Sequence, residues 1–468
     1  MSERLRILHA IHDFLPRHQA GSEIYTFELC RQLARRHHVT VLCAEFDPSR
    51  THGHVTWRVH DGLSVVEIVN NWICSSFADT YRSPVMTDRV RRVLEAIQPH
   101  VVHVHNLLNL SFDLPLLARA RGAAAVATLH DYTLVCASGG QRVHRAEAHL
   151  CERIEADRCA RCFRESPFNN QVAFGRFAAA AGGRPGWAKE GLIGLKRLFP
   201  SVAHVAERVA RGTAGVAVSP DEMEARRARA AEAFDAFDVV LAPSQSIADE
   251  FARLGFSRSR VRVSRYGFPA IERRRRPPPG DGPLRVGYVG TLVWHKGVHV
   301  LIEAVRHLPA ANYELKIVGD PSVWPDYTAG LRQAAAGLPV RFMGRFDRTR
   351  IADAYADLDV LVVPSLWLEN APLVIHEAYM SGVPVIASRI GGHLELVDDG
   401  RNGLLYYPQS PRALASALQK VLDDRGLLGT FGSSLPAVRS ITEAAEELEA
   451  IYRDLTNQEL GVRNEESV

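Results

Sequence analysis

Residues 368–388 read Leu368-Glu-Asn-Ala-Pro-Leu-Val-Ile-His-Glu-Ala-Tyr-Met-Ser-Gly-Val-Pro-Val-Ile-Ala-Ser388. An apolar run at 360–363 precedes them, the stretch from Leu373 has helical spacing, and 385–387 is again short and apolar. Strand, loop, helix and strand in that succession form the repeating unit of a parallel sheet. Pro372 suits the first helical position, where a missing N–H costs nothing. The amides of Leu373 and Val374 would then open a helix whose dipole favours an anion. Glu369 falls in the loop before this helix and Glu377 inside it, placing two carboxylates at different depths for binding vicinal hydroxyls. Either glutamate alone would read as a cap or a solvated helix residue.

The same rhythm extends in both directions. Strand-like runs at 284–289, 315–318 and 340–343 alternate with helical patterns, and Val298, Leu301, Ile302, Val305 and Leu308 mark one buried helix face. In the first half, runs at 7–10, 39–44, 65–69, 101–105 and 126–130 repeat the pattern, which resumes at 239–244 and 261–264. Residues 131–234 interrupt it, first with cysteines and then with Ala-, Arg- and Gly-rich sequence, and read as an insertion of irregular structure and helices. Residues 272–283, with four arginines followed by prolines and glycines, read as an exposed linker. The expectation is an α/β protein of two Rossmann-like, doubly wound domains, 1–271 and 284–440, then a helix and tail at 441–468 that frays beyond about residue 456.

A chain of 468 residues, 46% hydrophobic, is long enough for two cores. Its 56 Lys and Arg against 53 Asp and Glu give a net charge of +3, which argues against a nucleic-acid partner. The short apolar stretch near the N-terminus fits neither a signal peptide nor a membrane span, so the chain reads as cytoplasmic, with its seven cysteines reduced or metal-bound.

The string from Glu369 to Ala387 resembles the Glu-x7-Glu signature of glycosyltransferase family 4, with Glu369 and Glu377 as the two glutamates. Residues 287–297, Gly-Tyr-Val-Gly-Thr-Leu-Val-Trp-His-Lys-Gly, resemble that family's glycine-rich loop, and residues 317–320 and 340–344 its next two strand ends. Ala20-Gly-Ser-Glu23 stands where the family has Gly-Gly-Ala-Glu, and Thr128-Leu-His-Asp-Tyr132 ends a strand at the family's active-site histidine.

The resemblance implies the GT-B fold, two domains facing a cleft, and a retaining, metal-independent, hexosyltransferase-like enzyme using a UDP- or GDP-sugar. It places the donor diphosphate on Lys296, Gly21, Ser22, Leu373 and Val374, the base near Gly344, the ribose on Glu377, the sugar on Glu369 and the acceptor side at His130. A glycan or glycolipid acceptor, as in polysaccharide and cell-envelope biosynthesis, is the corresponding expectation. The family often has an arginine where this chain has Thr291, and Arg345 or Arg265 are candidates to replace its charge. A nucleotide-sugar epimerase of the same fold and a non-catalytic partner protein are the competing readings.

Asp357-Leu-Asp359 spells a metal-binding Asp-x-Asp, but it precedes a strand rather than following one, and that reading is discounted. Cys136, Cys151, Cys159 and Cys162 fall in one insertion and are read as ligands of a structural zinc, with His144 and His149 as spare ligands, an iron–sulfur cluster as the lesser option and four reduced thiols as the plain alternative. Residues 186–200 mix basic and bulky apolar side chains, as a peripheral membrane contact would, and equally suit packed helices.

Overall fold

The β-branched runs of the first half pair into one eight-stranded sheet. In spatial order it contains β10 (Val261–Val263), β9 (Val239–Ala242), β6 (Ala124–Thr128), β5 (Val101–Val104), β1 (Arg6–Ile11), β2 (His38–Glu45), β4 (Leu63–Val69) and β3 (Val55–His60). All neighbours are parallel except β3 on β4. Strands β5 and β6 are buried along their whole length, which is why they read as unbroken apolar runs. Edge strand β3 alternates partly exposed and exposed residues and has no such signature.

The second sheet runs β13 (Val340–Gly344), β12 (Tyr313–Val318), β11 (Leu284–Val289), β14 (Val360–Val363), β15 (Val385–Ser388), β16 (Gly403–Tyr406), all parallel. Chain order reverses between β11 and β14, and such a sheet offers a crevice outside the carboxyl ends of those two strands. The first sheet reverses in the same way between β1 and β5. Helix Leu373–Met380 buries Ile375, Ala378 and Tyr379 in a cluster with Val289, Leu361, Val363 and Val385, which anchors the loop carrying Glu369 to the sheet.

This computed structural model describes residues 3–180, 216–274, 282–345 and 350–465. Two compact units divide the chain: 1–243 with 248–264 and 442–468, and 244–247 with 265–441. The seam thus lies before the expected linker, most of which falls outside the described residues, as does the basic, apolar stretch 186–200. The terminal helix Ile441–Glu465 joins the first unit. Its Tyr452 hydroxyl bonds His103 and its Glu449 meets Arg36 at 3.3 Å. The backbone stays helical to Glu465, past the point where the polar sequence suggested fraying. Among the described residues no helix is long and apolar enough to cross a membrane.

Candidate active site

At the reversal point of the second sheet, the loop after β11 and the loop after β14 bring Lys296 and Glu369 together. The Lys296 Nζ lies 2.5 Å from Glu369 Oε1, and the Ser365 hydroxyl donates to the same oxygen at 2.6 Å. Glu369 is buried. Burial alone would raise its carboxyl, but Lys296, His393 and Ser365 outweigh it and hold the group at about 2. The Lys296 ammonium also sits 5.3 Å from the centre of the Trp367 ring.

His393 donates from Nδ1 to the Ser388 carbonyl at 2.8 Å, leaving Nε2 as a buried lone pair with no partner among the described residues. Backbone packs on backbone here. A Cβ on Gly392 would fall 1.8 Å from the Asn370 carbonyl oxygen, and one on Gly297 would fall 1.9 Å from that of Pro364.

Helix Leu373–Met380 begins one residue later than expected: Pro372 is its cap, in extended conformation, and not its first helical residue. Leu373 and Val374 are partly exposed in the first turn, where an α-helix leaves its amides without internal partners. Glu377 is buried and accepts the Tyr355 hydroxyl at 2.8 Å. Gly344 ends β13 in a left-handed conformation, φ +75°, and its carbonyl accepts the Gly319 amide at 3.0 Å. Thr291 is exposed, its carbonyl taken by the Tyr288 hydroxyl at 2.8 Å. Arg345 is exposed and acts on Asp320, and Arg265 acts on His376 of helix Leu373–Met380.

In the first unit, helix Gly21–Leu33 starts at an Ala20 cap without a side-chain bond, so Gly21 and Ser22 offer bare first-turn amides. Behind them Glu23 is buried, bonded by His12 at 3.0 Å and His18 at 3.1 Å. These partners overcome burial and depress its carboxyl, while the carboxylate raises both imidazoles.

Three strand ends supply a column of imidazoles. His9 Nδ1 meets His105 Nε2 at 2.9 Å, and His105 Nδ1 meets His130 Nε2 at 2.8 Å. His9 and His105 are buried, while His130 is partly exposed and lies beside the Tyr25 ring, 5.6 Å between centres. Burial lowers His9 and His130 to about 3 and His105 well below the ordinary imidazole value.

Residues 20–166 match the family model "Glycosyltransferase Family 4" and residues 283–424 the model "Glycosyl transferases group 1", together more than half of the chain. The chain belongs to the family 4, group 1 glycosyltransferases. Among its relatives, D-inositol 3-phosphate glycosyltransferase of Corynebacterium glutamicum is 35% identical over 180 residues, 36% of this chain and 43% of that protein. Glycogen synthase of Mycobacterium tuberculosis is 33% identical over 195 residues, 40% of this chain and 46% of that one. D-inositol 3-phosphate glycosyltransferase 2 of Catenulispora acidiphila is 31% identical over 275 residues, 54% and 63%. The chain therefore spans less than two thirds of the length of each.

Two solved structures share the fold: sucrose-phosphate synthase from Thermosynechococcus elongatus, with a TM-score of 0.64 and 19% identity over 97% of this chain and 99% of that one, and Anabaena HepE in complex with UDP and glucose, with a TM-score of 0.59 and 17% identity over 96% and 99%. The fold is GT-B.

Within this family 4 chain the sequence missed Ser365, His393 and His9. Ser365 and His393 flank the signature without belonging to it, and the Gly391-Gly392 pair before His393 was the available signal. The Asp-x-Asp is structural: Asp359 is buried and bidentate with Arg285, at 2.6 Å for the closer contact, and Asp357 pairs with Lys316. His144 is bonded by Glu147 at 3.2 Å and Glu165 at 2.9 Å, and His149 by Arg158, so neither of the proposed spare ligands is uncommitted.

Proposed function

We propose that the protein is a retaining glycosyltransferase that takes a hexose from a nucleoside diphosphate sugar and passes it to a glycan or lipid-linked acceptor. One observation carries the reading: a cation, a buried carboxylate and an open helix start converge where the order of the second sheet reverses. Lys296 and the first-turn amides of Leu373 and Val374 answer the charge that grows on the departing diphosphate, an electrostatic contribution largest at the transition state. Glu369, held ionised, accepts hydroxyls of the donor sugar, and Glu377, oriented by Tyr355, accepts those of the ribose. Gly344 brings bare backbone to the base.

In the first unit taken by itself, Gly21 and Ser22 offer amides suited to a phosphate, and His130 is the group suited to an acceptor. Anabaena HepE is solved with UDP and with UDP-glucose, and starch synthase IV of Arabidopsis thaliana with ADP, which supports testing donors of both bases beside GDP-sugars. The cytoplasm, where such donors are made, is the compartment this reading requires.

Thermal-shift measurements with UDP, GDP, ADP and their hexose derivatives test the proposal. A ligand at about 100 times its Kd stabilises the native state by about 2.7 kcal/mol. One base series should therefore raise the wild-type melting temperature by several degrees, an effect reduced in Glu377→Gln and abolished in Lys296→Ala. No rise with any nucleotide sends the assignment to the non-catalytic reading.

A further inference from the structure

Four of the seven cysteines lie in a segment with little core of its own, between residues 136 and 162. Cys136 closes the turn that leaves His130, its amide donating to the Tyr132 carbonyl at 2.7 Å. Cys151 follows the hairpin of β7 (Val143–His144) and β8 (His149–Leu150), its amide donating to the Arg142 carbonyl at 2.8 Å. Cys159 and Cys162 stand three apart on helix Ala156–Arg164 and share a face, and the helix buries only Ala160 and Phe163. Cys162 joins all three pieces: its sulfur lies 3.9 Å from the Val143 carbonyl on the hairpin, and its side chain bonds Ser138 in the loop after Cys136.

A second observation is electrostatic. Arg226 is buried, its guanidinium donating to the carbonyls of Thr133 at 2.6 Å and Leu134 at 3.2 Å and lying 5.0 Å from the Phe112 ring centre. Burial is the main influence on it, and Cys136, Tyr81 and Cys159 lie near enough to act on it, which places two of the four sulfurs around one guanidinium. Arg145 likewise faces Cys162 and Cys136.

We propose that Cys136, Cys151, Cys159 and Cys162 bind one structural zinc ion, which fastens the loop leaving His130 to the hairpin and helix behind it. Among the described residues, the donor groups that stand within 4.8 Å of one another in threes are His9–His103–His105 and His12–His18–Glu23, so the four sulfurs are more open than that. Zinc–sulfur bonds of about 2.3 Å would draw them together, and the energy of that closure would go into ordering a segment built from a turn, a two-residue hairpin and one short helix. The loop being fastened is already tied to the histidine column: Asp131 accepts the Thr133 amide at 2.8 Å and the Asn106 side chain at 2.8 Å.

Elemental analysis of the full chain, purified without chelator, tests this. About one zinc per chain is expected, released by a mercurial in step with the blocking of four thiols, and lost from Cys159→Ser/Cys162→Ser but kept by Cys74→Ser. Should the double variant not fold, cobalt substitution of the wild type serves instead. Thiolate-to-cobalt charge-transfer bands with strong tetrahedral absorption support the site, and an octahedral cobalt spectrum overturns it. Less than about half an equivalent of zinc, with all four thiols reacting freely in the folded protein, overturns it, as does iron with acid-labile sulfide in place of zinc.

Discussion

A neutral imidazole carries a single N–H, so the two ring-to-ring bonds from His9 through His105 to His130 must run in one direction. The far nitrogen of His9, Nε2, is buried and without a partner among the described residues. A buried lone pair is tolerated better than a buried orphan N–H, which sets the direction outward and leaves the His130 proton on Nδ1. His130 should thus act on an acceptor as a hydrogen-bond donor, a role its depressed basicity suits. Nitrogen-15 NMR at neutral pH should find His130 as the Nδ1–H tautomer, and a dominant Nε2–H signal would reverse the chain.

The Glu369 carboxyl is depressed to about 2, so it contributes stability above its unfolded value, lost as pH falls through the folded one. Glu369→Gln should lower catalytic efficiency by about 100-fold, the order expected for losing a charged hydrogen bond to the sugar. Its stability deficit at pH 7 should shrink as the pH is taken from about 4.5 toward 2. Lys296, Glu369 and His130 were legible because each sits in a short motif. His9 and His393 were not, because what defines them is a partner brought in by the sheet.

At the scale of elements, the signature loop depends on close backbone contact. Alanine at Gly392 would put a methyl carbon 1.8 Å from the Asn370 carbonyl, an obstacle that no rotamer change relieves. Gly392→Ala should cost about 2–4 kcal/mol in urea unfolding and remove the donor-induced thermal shift. Gly400→Ala, at positive φ (+83°) but with open space around it, should cost about 1 kcal/mol and leave the shift intact.

Legibility of the elements follows burial. Strands β5, β6 and β14, buried on both faces, announced themselves as apolar runs. Strand β3 lies at an edge with Trp57 and Val59 exposed, and β7 and β8 are two residues each, so none carried a readable period. Strand β16 is only four residues and follows directly on the Gly400 turn, which leaves it little pattern to show.

Across the molecule, proton binding couples the first unit's stability to its histidine column. His9, His103 and His105 are fully buried with depressed basicity, so above about pH 6.5 they are neutral whether the chain is folded or not. Below that value the unfolded chain takes up protons that the native state refuses, and stability falls by about 1.4 kcal/mol per pH unit for each site until the folded value is reached. His12 and His18 act in the opposite sense. Raised by Glu23, they contribute stability that is complete below about 6.5 and is lost as pH rises through their folded values, offsetting part of the trend. The partners facing the column are Tyr452, Thr128 and the other imidazoles, with Glu23 acting on its outer end at His130. His105→Asn should therefore lower stability at pH 7, through lost hydrogen bonds, yet flatten the fall between pH 6.5 and 5 by about 1.4 kcal/mol per unit. Urea unfolding at intervals across that range measures the slope, and a slope equal to the wild type's would mean that the buried imidazoles do not set the acid sensitivity of this fold.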